Sequence, residues 1–290
     1  MTPSTFGPYT FDHAMPDTLA DHMHFQHTLQ HTQNPDDIRA RLADGRTSYQ
    51  HLCQMHSARG LEATWANGAG AGRIVVPHIR DGLEGSGLDA LARHLAATAA
   101  DKRLILDGER APMQDAPWLA AGWVLDVHSA GASIDLSART WPTDPRVHER
   151  PASDLLAPDL LELYAELVTV GKIGDTGETD PAVAFENDLQ DEEKRLFVLT
   201  ESGAVLGAAL LTPAPPGRGR GIHMLGVRPS CRGQGLGLAL HAHLLAVAAQ
   251  THSKHGSRQG GGTNWDNHPM RRIFERNGAV LTEQKQFIRP

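Results

Sequence analysis

Residues 227–237 read Val-Arg-Pro-Ser-Cys-Arg-Gly-Gln-Gly-Leu-Gly, a run whose residue types suit the capture of a phosphate or diphosphate. Arg232 offers a permanent charge and a planar fork of donors. Gly235 and Gly237 let a ligand come against the backbone with no β-carbon in the way. The run lies between an apolar stretch, Gly221–Val227, and a Leu/Ala-rich segment from Leu236 to Gln250 with leucines at 236, 238, 240, 244 and 245. That order predicts a buried strand, a tight turn and a core-packed helix. Backbone N–H groups at the start of such a helix have no partner in the preceding turn. They sit at the positive end of the helix dipole, which is an anion site by construction. Two commoner phosphate loops are excluded. A Walker loop needs Lys-Ser/Thr after its last glycine, where Leu238-Ala239 stand here, and no Gly-x-Gly-x-x-Gly spacing occurs in this run.

The elements that must hold this turn are read from the whole chain. Its 290 residues exceed one average domain and suit two, with 40% apolar residues to build two cores. A formal charge of −7 argues against nucleic-acid and anionic-membrane partners, and no apolar run reaches spanning length. The opening Met-Thr-Pro-Ser-Thr-Phe-Gly-Pro has no secretory pattern, and Cys53 and Cys231 make no disulfide framework. A reducing cytoplasm is the expected setting. His24, His27 and His31 have helical spacing, but no cysteine or carboxylate closes a shell around them, so no metal is expected.

A Pro- and charge-rich stretch, 141–151, divides the chain near its middle. The two sides look like copies of one plan. In the first, a strand at 73–79 precedes Gly82-Leu-Glu-Gly-Ser-Gly87 and a helix through Leu88, Leu91 and Leu95, and Gly85 and Gly87 fall on Gly235 and Gly237 after a shift of 150. Trp118–Val124 likewise matches Phe274–Val280, each a helix end stopped by glycine before a β-rich segment. The expected domains are 1–145 and 146–290. The first loop carries Gly82 where the second has Arg232, and it holds Glu84 where a diphosphate would lie. A carboxylate there repels such a ligand, which predicts a degenerate first copy.

In the second half, 146–152 reads as a strand and Ala157 to about Val170 as a helix with Leu160, Leu161, Tyr164, Leu167 and Val168 on one stripe. A hairpin turns at Glu201-Ser-Gly203. A further strand ends near Asn264, and Pro269–Asn277 reads as a helix stopped by Gly278. Residues 171–193 form a polar connection with eight carboxylates between Asp175 and Glu193. This is either a solvated face or an acidic wall that attracts a cation.

The spacing Arg232-x-x-Gly235-x-Gly237, with its flanks, resembles the diphosphate loop of the GCN5-related N-acetyltransferases (GNAT), and the resemblance covers 146–290 and weakly the remainder. It implies an α/β fold of the α+β type, each half a mixed, twisted, mainly antiparallel sheet flanked by helices. Acetyl-CoA is the implied cosubstrate, with direct transfer to the primary amine of a small molecule or peptide. The implied cofactor residues are Arg232, Gly233, Gln234, Gly235, Leu236 and Gly237 for the diphosphate, and Leu225, Gly226 and Val227 for pantetheine. Asn267, which also suits a helix N-cap, would meet the cofactor arm. By the same resemblance His223 is the candidate base, its other reading being cleft lining. Many members carry a tyrosine acid where Phe274 stands, which leaves Tyr164 as the weaker candidate. Cys231 reads as small-residue packing beside the loop. The expected partner is an amine, possibly cationic, and the chain a monomer or homodimer. The alternative function is a non-catalytic acyl-CoA sensor or scaffold.

Overall fold

The computed structural model describes residues 4–13, 51–67, 74–98, 103–109, 111–151, 154, 157–171, 195–212, 221–250 and 258–289. The histidines at 22–31 and the acidic connection at 172–194 lie outside the described residues. The chain forms two compact units, one of Met1–Ala130 with Thr282–Pro290 and one of Gly131–Leu281. Both have the expected mixed, mainly antiparallel sheets flanked by helices. Among the described residues, no helix is long and apolar enough to cross a membrane, and no cluster of His, Cys, Asp or Glu is placed to hold a metal.

The first unit contains an antiparallel sheet ordered β1 (Ser4–Phe6), β2 (Tyr9–His13), β3 (His51–Ser57), β4 (Gly60–Asn67) and β6 (His78–Ile79). Alternation along these strands puts Phe11, Met55, Ala63 and Ile79 on one buried face, where they join Leu88, Leu91 and Leu95 of helix α1 (Ser86–Thr98) in one core. The strand expected at 73–79 is broken. Its first part, β5 (Ile74–Val75), pairs in parallel with β7 (Arg103–Asp107), and only the part after Pro77 joins β4. Proline has no N–H to continue a ladder, so the chain changes partner there. The last strand of the chain, β14 (Val280–Ile288), lies between β7 and β8 (Val124–Asp135) in strand order and runs antiparallel to β7 over Gln284–Ile288. Lys285 on it is buried and donates to the Met113 carbonyl at 3.0 Å and to Asp115 at 2.7 Å, just before helix α2 (Ala116–Ala120). These bonds explain why residues 282–290, read with the second half from sequence, fall in the first unit.

In the second unit, β9 (Val147–Arg150), β10 (Arg195–Glu201), β11 (Ala204–Thr212) and β12 (Gly221–Val227) are successive antiparallel neighbours, with β10 and β11 joined by the tight turn at Ser202-Gly203. β10 reads Leu196-Phe197-Val198-Leu199, all buried, because both faces are covered. Leu196, Val198, Ala208 and Leu210 pack against Leu160, Leu163, Tyr164 and Leu167 of helix α3 (Pro158–Gly171). Phe197, Leu199, Ala209 and Leu211 pack against Leu236, Leu240 and Leu244 of helix α4 (Leu236–Gln250). β12 is parallel to β13 (Arg258–Asn264), and among the described residues their register is the pair Gly221 and Gly260. Toward Val227 the two strands part around a cavity that Gly226, Val227 and Asn264 line.

A hydrogen-bonded knot joins α4 to the end of helix α5 (His268–Arg276). The Asn277 amide donates to His241 Nδ1 at 2.8 Å, and Trp141 Nε1 donates to the Asn277 carbonyl at 3.2 Å. His241 is only 1% exposed, and burial lowers its pKa from 6.5 to about 4. A histidine depressed in this way stabilises the fold fully above pH 6.5, and that contribution is lost as pH falls toward 4, because the unfolded chain takes up the proton first. Thermal or urea unfolding should therefore show wild type losing about 2 kcal/mol between pH 7 and pH 5 from this group, a loss that His241→Gln flattens. A second test concerns Gly207, where a β-carbon would sit 2.7 Å from the Gly226 carbonyl oxygen of β12. Gly207→Ala should lower stability by about 1–3 kcal/mol, since backbone must move to admit it. An unchanged melting temperature would show that β12 is free to shift.

Candidate active site

The turn after β12 begins with an anchor. Arg228 Nε donates to the Val205 carbonyl at 2.7 Å, and its guanidinium pairs with Glu166 and, at 3.4 Å, with Glu162 of α3. This fixes the strand's exit against α3 before the glycines are reached. Pro229–Cys231 make one tight 3₁₀ turn, and Gly233 and Gly235 then take φ of +82° and +80°. An L side chain is strained at both values, so these two glycines are required by the path of the backbone. Among the described residues, the N–H groups of Gly233, Gln234, Gly235, Leu236 and Gly237 donate to no backbone carbonyl, and the first such bond into α4 comes from Ala239 to Gly235 at 3.0 Å. Five donors at a helix start, on a loop with two positive-φ glycines, form an anion cradle.

The cradle opens into a cavity of about 640 Å³, all of it within the second unit. Its walls are the end of β12 (Gly226, Val227), the cradle itself, Leu167 of α3, and one face of α5 from Asn267 to Arg276. Of the residues singled out in the sequence, Gly226, Val227, Arg232, Gly233, Gly235, Leu236, Gly237 and Asn267 line this one space, and Cys231 does too. Gln234 is an exposed residue of the turn but is not part of the lining. Leu225 and His223 lie on β12, where only their backbone is described. Leu210 pairs with Met224 and Leu211 with Ile222, so His223 is the residue that the ladder skips. Such a bulge is a common way for a strand to present one residue out of register.

Asn267 is the N-cap of α5. Its side-chain oxygen accepts from Met270 N at 3.3 Å, and its amide donates to Thr263 Oγ1 at 2.9 Å. Both polar atoms thus hold the helix entrance while the residue faces the cavity. Tyr164 is 2% exposed, packed in the α3 core, and Leu167 one turn on is the α3 residue that reaches the cavity. Phe274 is also buried. Its ring meets His241 edge-to-face at 5.3 Å and lies over Gly261, so it fills the core and not the cavity wall.

Sequence reasoning passed over Arg272 and Arg276, which line the cavity alongside Ile273 and Met270. The available signal was the helical spacing 269, 272/273, 276, which puts these residues on one face with Pro269. Two arginines on a short polar helix read equally well as a solvated surface, and only the placement of that helix beside the cradle separates the two. Asp266 is the carboxylate among the lining residues.

Residues 158–279, which contain the whole cradle and all of the cavity lining, match the model of the acetyltransferase (GNAT) family. The chain's fold is similar to that of a GCN5-related N-acetyltransferase from Sphaerobacter thermophilus, at 16% identity over 99% of this chain and 98% of that one, with a TM-score of 0.53. It is also similar to an acetyltransferase from the GNAT family of Colwellia psychrerythraea, at 12% identity over 97% and 99% of the two chains, with a TM-score of 0.50. At these identities the likeness is one of fold. No curated protein matches the sequence. The match to the acetyltransferase (GNAT) family model falls on the segment that builds the donor-lined turn, the parted strands and the cavity between them.

Proposed function

We propose that the protein is an acetyl-CoA-dependent N-acetyltransferase that moves the acetyl group directly to a primary amine. The observation that carries this reading is the continuity of one cavity between two features: the open cradle at 232–237 and the gap beside Gly226 and Val227. A diphosphate suits five free N–H groups and the Arg232 guanidinium. An amide-bearing arm suits strand edges that have parted and left backbone groups to be paired as an added strand would pair them. Acetyl-CoA supplies an activated thioester when bound.

The chain's own groups divide the remaining work. The cradle fixes the diphosphate, and the backbone at Leu225, Gly226 and Val227 holds the arm and polarises the carbonyl. His223, at the skipped position of β12, is assigned as the base that takes the ammonium proton of the acceptor, a task an imidazole performs near neutral pH. Phe274 has no proton to give and Tyr164 is buried in the α3 core, so the departing thiolate takes its proton from solvent. A cationic amine fits the acidic connection at 175–193 by charge.

The same two burials favour a second reading, a CoA-binding protein that has kept the cradle without turnover. The first half is assigned a supporting role under either reading. At its equivalent turn, a β-carbon on Gly87 would overlap Leu83, which is 1% exposed, and the Gly87 N–H already donates to the Glu84 carbonyl at 3.2 Å. That cradle is filled by its own side chain.

Calorimetric titration tests the reading. Wild type should bind acetyl-CoA with a Kd on the order of micromolar, Arg232→Glu should weaken binding more than about tenfold, and Glu84→Gln should leave it unchanged. Equal losses in the two variants would overturn the assignment of the cofactor to the second half. In a thiol-release assay over a panel of amines, His223→Ala should retain acetyl-CoA binding and lose about 10²-fold or more in kcat. Binding without turnover in wild type would establish the sensor reading.

A further inference from the structure

Helix α5 gives the cavity a direction. Asn267 caps its N-terminus beside Asn264 and Asp266, at the end of β13. Two turns along, Ile273 Cδ1 lies 3.1 Å from where a β-carbon on Gly237 would be, so position 273 is level with the first turn of α4 and hence with the cradle. Arg276 comes nearly one turn later, on the side of the cradle away from Asn267. From Asn267 to Arg276 the helix advances about 13 Å. The lining therefore runs in order from polar groups at the parted strands, through the diphosphate donors with Arg272 at their level, to Arg276 beyond them.

Among the described residues, neither the Arg272 nor the Arg276 side chain has a carboxylate or carbonyl partner. Arg139 Nη2 donates to the Arg276 backbone carbonyl at 3.1 Å, a bond that ties down the helix end without using the Arg276 guanidinium. Four other arginines of this unit pair with carboxylates: Arg146 with Asp144 and Glu201, Arg150 with Asp154 and Asp159, Arg195 with Glu149, Arg228 with Glu166 and Glu162. Arg139 and Arg271 donate to carbonyls and lie over the Trp141 and Trp265 rings. Arg232, Arg272 and Arg276 face the same space with only Asp266 as a lining carboxylate. Three cations exceed what one diphosphate needs, and two of them sit at and beyond its level.

We infer that Arg272 and Arg276 form a second anion subsite, which receives the 3′-phosphate on the ribose of coenzyme A and makes the cavity select the full coenzyme over 3′-dephospho-CoA or a carrier-bound phosphopantetheine. This rests on the acyl-CoA reading above. A phosphomonoester carries nearly two charges at neutral pH, and two guanidinium forks match its oxygens better than one. Both arginines are exposed, so their contribution falls with ionic strength, and selection for the 3′-phosphate should be strongest at low salt.

The test is a calorimetric square of two proteins and two ligands: wild type and Arg272→Gln/Arg276→Gln, each titrated with CoA and with 3′-dephospho-CoA. Wild type should prefer CoA by about tenfold or more, as expected for charge-assisted bonds to one phosphate. The double variant should lose that preference by weakening CoA alone, with 3′-dephospho-CoA within about threefold of wild type and an unchanged melting temperature. Equal affinity of wild type for the two ligands would overturn the inference. So would a double variant that weakens both ligands alike, which would move the arginines to the diphosphate. Failure of wild type to bind either ligand would overturn the acyl-CoA reading itself, and this inference with it.

Discussion

Much of the second unit depends on the way β12 and β13 separate. Two parallel strands that paired along their whole length would satisfy each other's backbone groups and leave no space between them. Here the register is confined to Gly221 and Gly260, after which one strand runs into the cradle and the other into the entrance of α5. Each therefore ends beside a helix N-terminus, and the gap between them is walled by β12, the cradle and α5. Backbone groups left unpaired in this way are costly when buried, and a ligand that pairs with them recovers that cost. The parting of the strands is thus both the weak point of the sheet and the origin of the cavity beside the cradle.

Such a gap stays open only if both walls are held from behind. On one side, Arg228 is clamped between the Val205 carbonyl and two glutamates of α3, and the close approach of Gly207 to the Gly226 carbonyl sets how far β12 lies from β11. On the other side, His241 of α4, Asn277 after α5, and Trp141 form a buried relay. Phe274 is wedged between the His241 ring and Gly261. A hydroxyl at 274 would have to be accommodated in that core. Phe274 here serves packing, and the neutral, buried His241 ties the rigidity of this wall to pH.

The turns at 82–87 and 232–237 differ in what fills them. Both turns use positive-φ glycines before a helix, at 82 and 85 in the first and at 233 and 235 in the second. In the first, Leu83 folds back against Gly87 and is fully buried. In the second, the corresponding position is Gly233, which has no side chain to fold back, and the neighbouring Arg232 is exposed. A buried leucine thus packs the first turn into a core, whereas the second turn keeps N–H groups with no backbone acceptor among the described residues.

The sequence by itself determined the local features. Arg232, Gly235 and Gly237 identified the cradle because a tight turn and a helix start leave a short-range signature. The hairpin at 201–203 and the stop at Gly278 were legible for the same reason. The both-sides-apolar run 196–199 and the Leu stripe of α3 gave the core of the second unit, since burial follows periodicity. Three things were decided only in tertiary structure. The chain's last strand belongs with β7, because strand pairing depends on partners about 180 residues away and leaves no local mark. Tyr164 and Phe274 lie in cores, because their burial depends on which helices cover them. Arg272 and Arg276 became cavity residues through the packing of Ile273 on Gly237, which places a helix that reads as surface beside the cradle. Local backbone chemistry is written in adjacent residues, whereas the facing of one element on another is set by contacts that no short window of sequence contains.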